Sequence, residues 1–227
     1  MSSEPLRQCT AEAIGTFALT FIAAGAICAD RYSGGELGLL GTSVAYAAGT
    51  AAMMCVTAAT SGGHLNPAIT IAQAANGRVT AAIAAAYVAA QLAGAAVGGL
   101  ALAGLYAPEV WRPVNLGTPT LSPEVAFWTG AFLEAVLTFF VVFTALRMAG
   151  NESPPAIVYG LPVGVVLIGG SLAGASLTGA AMNPARAFGP ALASGIWNDH
   201  LAYWVGPISG GLAAAIADRM LQPAQEG

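Results

Sequence analysis

Charge is what this sequence lacks most. Only 8% of its 227 residues are Asp, Glu, Lys or Arg, and all seven basic residues are arginine. About a quarter of the residues of a soluble domain are charged, so this chain has too few charges for a globule in water. Because 56% of the residues are hydrophobic and the mean hydropathy is +0.70, we expect the protein to lie in a lipid bilayer.

Other shortages exclude further classes of function. The eleven acidic residues outnumber the basic ones and no basic stripe is present, so we expect no nucleic-acid partner. Cys9, Cys28 and Cys55 are odd in number and lack metal-ligand spacing, which predicts free thiols. His64 and His200 have no neighbouring cysteine or nucleophile–base pattern. We therefore expect no metal site, no cofactor and no enzymatic activity.

The sequence does contain long apolar runs. About 20 residues are needed to cross roughly 30 Å of hydrocarbon, and six runs are long enough. The first is too long for the apolar region of a signal peptide. Two shorter runs, 66–75 and 183–193, would reach only halfway at about 1.5 Å per residue, so we predict re-entrant half-helices. The six predicted spans are 11–29, 37–60, 79–105, 125–149, 155–177 and 201–221.

The arginines indicate an orientation for these spans. With six spans and both termini in the cytoplasm, four arginines lie inside and two outside, in agreement with the positive-inside rule. The compact loops suggest a bacterial inner membrane. The inside arginines would be Arg7, Arg78, Arg147 and Arg219, and the outside ones Arg31 and Arg112.

The two halves of the chain resemble each other. "EAIGTF" at 12–17 recurs as "EAVLTF" 122 residues later, and "SGGHLNPAITIA" at 61–72 recurs as "TGAAMNPARAFG" 117 residues later. Three spans and a half-span in each copy place the second copy upside down relative to the first, as in inverted-repeat transport proteins. The predicted units are a first repeat at 1–105, an extracellular connection at 106–124 and a second repeat at 125–227.

Each short run begins with an Asn-Pro-Ala box. Asn is a preferred N-cap and Pro is favoured in the first helical position, so each box predicts a helix start with a positive dipole end. Two such ends near the bilayer midplane are tolerated only beside a cavity or inside protein. The boxes are Asn66, Pro67 and Ala68, and Asn183, Pro184 and Ala185.

With these boxes, the sequence resembles aquaporins of the major intrinsic protein family over residues 12–217. The motif "SGGHLNPA" and "WVGP" at 204–207 belong to the likeness. The resemblance implies an all-α membrane protein with six spans and two half-helices, assembled as a homotetramer in lipid. It also implies that Asn66 and Asn183 donate to water in one pore. By the same resemblance, the residues that brace the re-entrant loops are Glu12, Glu134, His64 and Gln91; a proton-carrying role for the two glutamates is the alternative.

The resemblance also implies a selectivity ring of Tyr46, Ser171, Ala180 and Arg186. Arg186 would donate to neutral solutes while its charge repels cations; an arginine that snorkels to the interface is the alternative. One aromatic beside Ser and Ala makes this ring wider than a strict water filter and more polar than a glycerol filter. We therefore expect an atypical, microbial family member. It would conduct water and small neutral solutes such as glycerol, urea or undissociated metalloid hydroxides, and exclude ions and protons.

Three other functions remain open. Ala187, Ala191 and Tyr203-Trp204 resemble the water-selective branch of the family, which favours a strictly water-selective pore. An ion-coupled secondary transporter would need an ion site or a titratable pair at the midplane, and the predicted pore contains no Asp or Lys. A purely structural membrane protein would show no water permeability.

Overall fold

The computed structural model describes residues 3–150 and 156–222, and helices joined by turns and loops make up this part of the chain. Five helices in it are long and apolar enough to cross a membrane. The helices are α1 (Ser3–Ser33), α2 (Gly38–Ser61), α3 (Pro67–Ala75), α4 (Ala81–Leu105), α5 (Pro108–Trp111), α6 (Phe127–Gly150), α7 (Ala156–Tyr159), α8 (Leu161–Thr178), α9 (Pro184–Ser194) and α10 (Ala202–Met220), with a 3-10 segment at Arg112–Gly117.

The sixth predicted span is α10, which is less apolar than the other five. It has 19 residues, one more than α8, so its length is sufficient. Its first half contains glycines and Pro207, and its end carries Asp218 and Arg219, which lower its hydropathy. Eight of its residues are nevertheless buried besides Asp218, because one face packs against α6 and α3.

Four spans agree with their predicted bounds to within two residues, and two differ more. Helix α1 begins eight residues earlier than predicted, because Glu4 accepts hydrogen bonds from Arg7 and Gln8 at helical spacing. The fifth span was predicted as one helix over 155–177. Residue 155 lies outside the described residues, and the rest forms α7 and α8, which are separated at Gly160.

Small residues allow the spans to pack closely. In the first half, a Cβ on Gly94 would collide with the carbonyl of Ala13, and one on Gly98 would lie 3.0 Å from the carbonyl of Phe17. The residue numbers of the contacting pairs increase in the same direction on both helices, so α1 and α4 run parallel. Such close approach is how helices gain packing energy where lipid removes the hydrophobic driving force.

The second half contains the equivalent contact. Gly206 and Gly210 on α10 face the carbonyls of Ala131 and Ala135 on α6, again in parallel order. The two half-helices fit between these pairs. Helix α9 packs on α4 through Gly189, and α3 packs on α10 at Gly211. The core of the molecule is therefore built around the two half-helices.

The connection between the halves is more ordered than a simple loop. Helix α5 and the 3-10 segment pack against α1 and α9. Leu116 is fully buried together with Cys28 and Leu102. Asn115, Leu116 and Gly117 have positive φ values of 52°, 53° and 71°. These turn the chain back into the molecule, towards the start of α9.

Candidate functional site

Both Asn-Pro-Ala boxes begin a half-helix. The Oδ1 atom of Asn66 accepts from the backbone N–H of Ala68 at 2.9 Å, and Oδ1 of Asn183 accepts from that of Ala185 at the same distance. The proline after each asparagine occupies the first turn. Each asparagine is thus an N-cap that fixes the direction of its own amide group.

The two boxes are joined across the centre of the molecule. Nδ2 of Asn66 donates to the carbonyl of Met182 at 2.9 Å, and Nδ2 of Asn183 donates to the carbonyl of Leu65 at 2.9 Å. Leu65 and Met182 have φ values of 51° and 50°, an uncommon conformation for residues other than glycine. Each amide nitrogen carries two hydrogens. One hydrogen of each amide therefore joins the two loops, and the second hydrogen remains to bind a solute.

Glu12 supports the loop before the first box. Its side chain is fully buried and accepts from the Ser61 hydroxyl at 2.6 Å and from the backbone N–H groups of His64 and Leu65 at 3.0 and 2.7 Å. Gln91 donates to it at 2.7 Å from α4. These four hydrogen bonds compensate a carboxylate removed from water.

Glu134 makes the equivalent contacts in the second half. It accepts from the Thr178 hydroxyl at 2.7 Å and from the backbone N–H groups of Ala181 and Met182 at 3.0 and 2.8 Å. The Tyr203 hydroxyl donates to the Thr178 carbonyl at 2.7 Å. The loop donors are thus satisfied by a carboxylate in each half.

His64 and Gln91 meet at Thr70 in the first half. Nδ1 of His64 lies 3.1 Å from the Thr70 hydroxyl, and Nε2 of Gln91 donates to that hydroxyl at 2.9 Å. The residues 117 positions later, Ala181 and Ala187, match His64 and Thr70 and carry no polar side chain. This three-residue network therefore makes the two halves chemically different.

Arg186 occupies one mouth, which we call the Arg186 mouth. It is 3% exposed, and its Nη1 donates to the Gly117 carbonyl at 2.8 Å. Its Cζ lies 5.7 Å from the centre of the Tyr46 ring, within the range of a cation–π contact. A Cβ on Gly117 would lie 2.8 Å from the Cα of Ala24. Gly117 is therefore required both by its φ of 71° and by the space.

The structure brings part of the predicted ring together. Besides the Tyr46–Arg186 contact, the Tyr46 hydroxyl donates to the Ala181 carbonyl at 2.8 Å, next to Ala180. Ala180 is 1% exposed and has a φ of 44°. Ser171 is buried on α8, and among the described residues no hydrogen bond joins it to the other three. Its place in the ring stays a prediction.

The opposite mouth, which we call the Arg78 mouth, is built around a buried carboxylate. Asp218 is fully buried and accepts from Arg78 at 2.7 Å and from Asn76 at 3.0 Å, while Arg147 lies 3.5 Å away. Arg78 also donates to the Leu146 carbonyl at 2.8 Å. This cluster ties the end of α3 to α6 and α10.

Each mouth contains a cavity. The cavity at the Arg186 mouth measures about 300 Å³ and is lined by Ile27 of α1. Gln8 of α1 lines a surface pocket beside Arg78. Gln8 and Ile27 lie nineteen residues apart on the same helix, which corresponds to a rise of roughly 28 Å. The two mouths therefore lie at opposite ends of the molecule.

The described residues contain no cluster of three His, Cys, Asp or Glu side chains that could bind a metal.

Several of these residues were missed by sequence reasoning. Ser61 and Thr178 are hydroxyl residues at matching positions of the repeat, so the offset of 117 could have found them. Asp218 and Gly117 have no comparable signal, because their partners come from distant segments.

Comparison with known proteins decides the family. The profile described as Major intrinsic protein matches residues 1–217. The chain belongs to the major intrinsic protein family. The chain is 39% identical to Aquaporin TIP4-4 of Zea mays over 98% of the chain and 89% of that protein. It is 36% identical to Probable aquaporin TIP5-1 of Oryza sativa subsp. japonica over 97% and 85%.

A solved structure confirms the fold. The X-ray structure of the aquaglyceroporin from Plasmodium falciparum superimposes with a TM-score of 0.82, covers 95% of both chains and is 21% identical. The predicted all-α membrane architecture with aquaporin-like topology is therefore confirmed. Members of the major intrinsic protein family are membrane channels and not enzymes, and this chain is a passive membrane channel. The relatives are plant proteins, so the expected microbial source and bacterial inner membrane find no support.

Proposed function

We propose that this channel conducts water and small neutral polar solutes, such as glycerol, urea or undissociated metalloid hydroxides, and excludes ions and protons. The observation that carries the proposal is the enclosed guanidinium of Arg186. It is 3% exposed, yet the structure gives it one hydrogen bond, to Gly117, and its Nε has no partner among the described residues. Its remaining N–H groups can donate to a solute oxygen.

Exclusion of ions follows from the same geometry. The charge of Arg186 repels cations at one mouth, and the positive ends of α3 and α9 meet at the boxes. Each half contains a buried carboxylate that could relay protons. Glu12 and Glu134, however, both accept hydrogen bonds from backbone N–H groups of the loops. An ion-coupled transporter would need a titratable group free to change state at the midplane.

The small side chains at the predicted ring positions support the wider solute range. Ala180 would contribute only a methyl group and Ser171 a small hydroxyl. The strictly water-selective alternative is favoured by Ala187 and by Tyr203, which packs with Ala187 behind the second box. We give greater weight to the ring because diameter and lining groups determine what passes.

Stopped-flow swelling of proteoliposomes tests the solute range. Vesicles that contain the protein should equilibrate faster than empty vesicles in a water gradient and again in glycerol and urea gradients. Water flux without glycerol or urea flux above empty vesicles would instead establish the water-selective alternative.

We extend the proposal to topology and assembly. Residues 1–105 and 125–227 would be inverted repeats joined by an extracellular connection at 106–124, with both termini in the cytoplasm and four copies in a homotetramer. The four inside arginines and the parallel helix pairs of the two halves support it. Protease protection of terminal tags and native mass spectrometry would test the two parts separately.

A further inference from the structure

The Arg78 mouth contains an inner cavity beside the surface pocket that Gln8 lines. It measures about 510 Å³ and lies between the ends of α2, α3, α6 and α7. Its lining includes five polar side chains that the selectivity ring does not involve. These are Ser61, His64, Gln73, Arg78 and Tyr159.

Tyr159 has a buried hydroxyl without a partner. The residue is 6% exposed, and among the described residues nothing accepts from or donates to its hydroxyl. A buried hydroxyl without a partner is costly, so such groups in native structures call for an explanation. Tyr159 lines the cavity, so a rotation of its side chain would let a solute or water there satisfy the hydroxyl.

The backbone next to Tyr159 is held against α2. The next residue, Gly160, donates its backbone N–H to Sγ of Cys55 at 3.3 Å, and a Cβ on Gly160 would collide with the carbonyl of Ala51. The backbone at Tyr159 therefore cannot move away without separating α7 from α2. Only the side-chain torsions of Tyr159 remain to be ordered, which limits the entropy cost of binding.

Arg78 is fixed on another side of the same cavity. Asp218 and the Leu146 carbonyl hold its two terminal nitrogens at 2.7 and 2.8 Å. Its side chain is 23% exposed, so it still presents positive charge to the mouth. Gln73 and His64 are 3% and 4% exposed, respectively. The cavity thus combines a fixed cation with buried hydrogen-bonding groups.

We propose that this cavity is a second selectivity site, in which the Tyr159 hydroxyl hydrogen-bonds a small neutral solute bearing carbonyl or hydroxyl groups. Asp218 offsets one positive charge, but Arg78 and Arg147 together leave a net positive charge that opposes cations there. A solute then meets two polar sites in series, one on each side of the boxes. This inference rests on the proposed passage of neutral solutes and adds a residue that determines which of them pass.

Tyr159→Phe tests the proposal because it removes the hydroxyl and keeps the ring. Water, urea and glycerol permeabilities would be measured by stopped flow at equal protein density. We expect the solute-to-water permeability ratio to fall roughly fivefold, the scale of one hydrogen bond. The matched control is Tyr32→Phe, the same change at a residue that is 76% exposed, and it should leave every permeability unchanged.

Three results would overturn the proposal. If the wild-type channel passes urea or glycerol and Tyr159→Phe leaves the ratio unchanged, the second site is absent and the proposed function stands. A proportional fall of water and solute fluxes would indicate a structural role for Tyr159 and would also refute the site. A wild-type channel that passes neither solute would refute the proposed solute range and this inference with it.

Discussion

Glu134 shows how single residues make an irregular backbone possible inside a membrane. The loop before the second box cannot satisfy its own N–H groups, and lipid offers them no acceptor. The carboxylate of Glu134 accepts from Ala181 and Met182, so the loop can enter the core. Glu12 does the same for His64 and Leu65. These contacts favour the loop-bracing role over proton carriage.

Replacement of Glu134 by Gln should destabilise the folded channel. The amide presents one acceptor oxygen where the carboxylate presents two, so a buried donor loses its partner. We expect a loss of about 2–5 kcal/mol, visible as a lower midpoint of thermal unfolding in detergent. Glu109→Gln, at an exposed position on α5, is the control. Equal midpoints for the two variants would contradict the bracing role.

The ring residues give a second test at this scale. Ala180→Phe combined with Ser171→His adds two large side chains at the predicted ring positions. If these residues line the narrowest ring, glycerol and urea permeability should fall to the level of empty vesicles while water flux persists. Unchanged solute permeability at equal protein density would show that Ser171 and Ala180 lie outside the ring.

At the scale of elements, local sequence signals predict where the half-helices begin, whereas contacts between distant segments cannot be predicted from them. Both half-helices start at the predicted asparagines, because an N-cap followed by proline acts within three residues. The prediction of one helix over 155–177 overlooks Pro162, which lies in the first turn of α8 and lacks the N–H that a continuous helix needs. The hydrogen bond from Arg186 to Gly117 joins residues 69 positions apart, and no periodicity indicates it.

The crossing of α1 and α4 depends on glycine at position 94. Val at this position would collide with the carbonyl of Ala13, and overpacking of this kind costs roughly 1–3 kcal/mol. We expect Gly94→Val to reduce the yield of folded protein in size-exclusion chromatography. Gly104→Val on the same helix is the control, because a Cβ there meets nothing within 4 Å. A normal yield for Gly94→Val would disprove the close crossing.

The start of α10 carries a pH-sensitive contact. Nε2 of His200 accepts from Nε1 of Trp204 at 3.1 Å, which requires the neutral imidazole. Burial lowers the pKa of His200 below its usual 6.5, so the unfolded chain takes up the proton first and stability falls as pH drops below about 6.5. The thermal midpoint should therefore fall less on acidification in His200→Gln than in the wild type; identical pH profiles would contradict this.

At the scale of the whole molecule, two similar halves meet around a centre that they share. Each asparagine of a box donates to the loop of the other half, so neither half completes the pore alone. The halves differ at their mouths, where Arg186 is held by the Gly117 carbonyl and Arg78 by Asp218. Internal repetition in the sequence predicts the shared centre; it cannot predict these differences, which arise from residues without a counterpart.

The central claim is passive conduction of water without ions through the pore between the two boxes. The most direct measurement follows water flux by light scattering and proton flux by an enclosed pH dye in the same proteoliposomes. We predict water permeability well above that of empty vesicles, with a proton leak equal to theirs. Water permeability no higher than in empty vesicles, or proton flux that rises with protein density, would contradict the account.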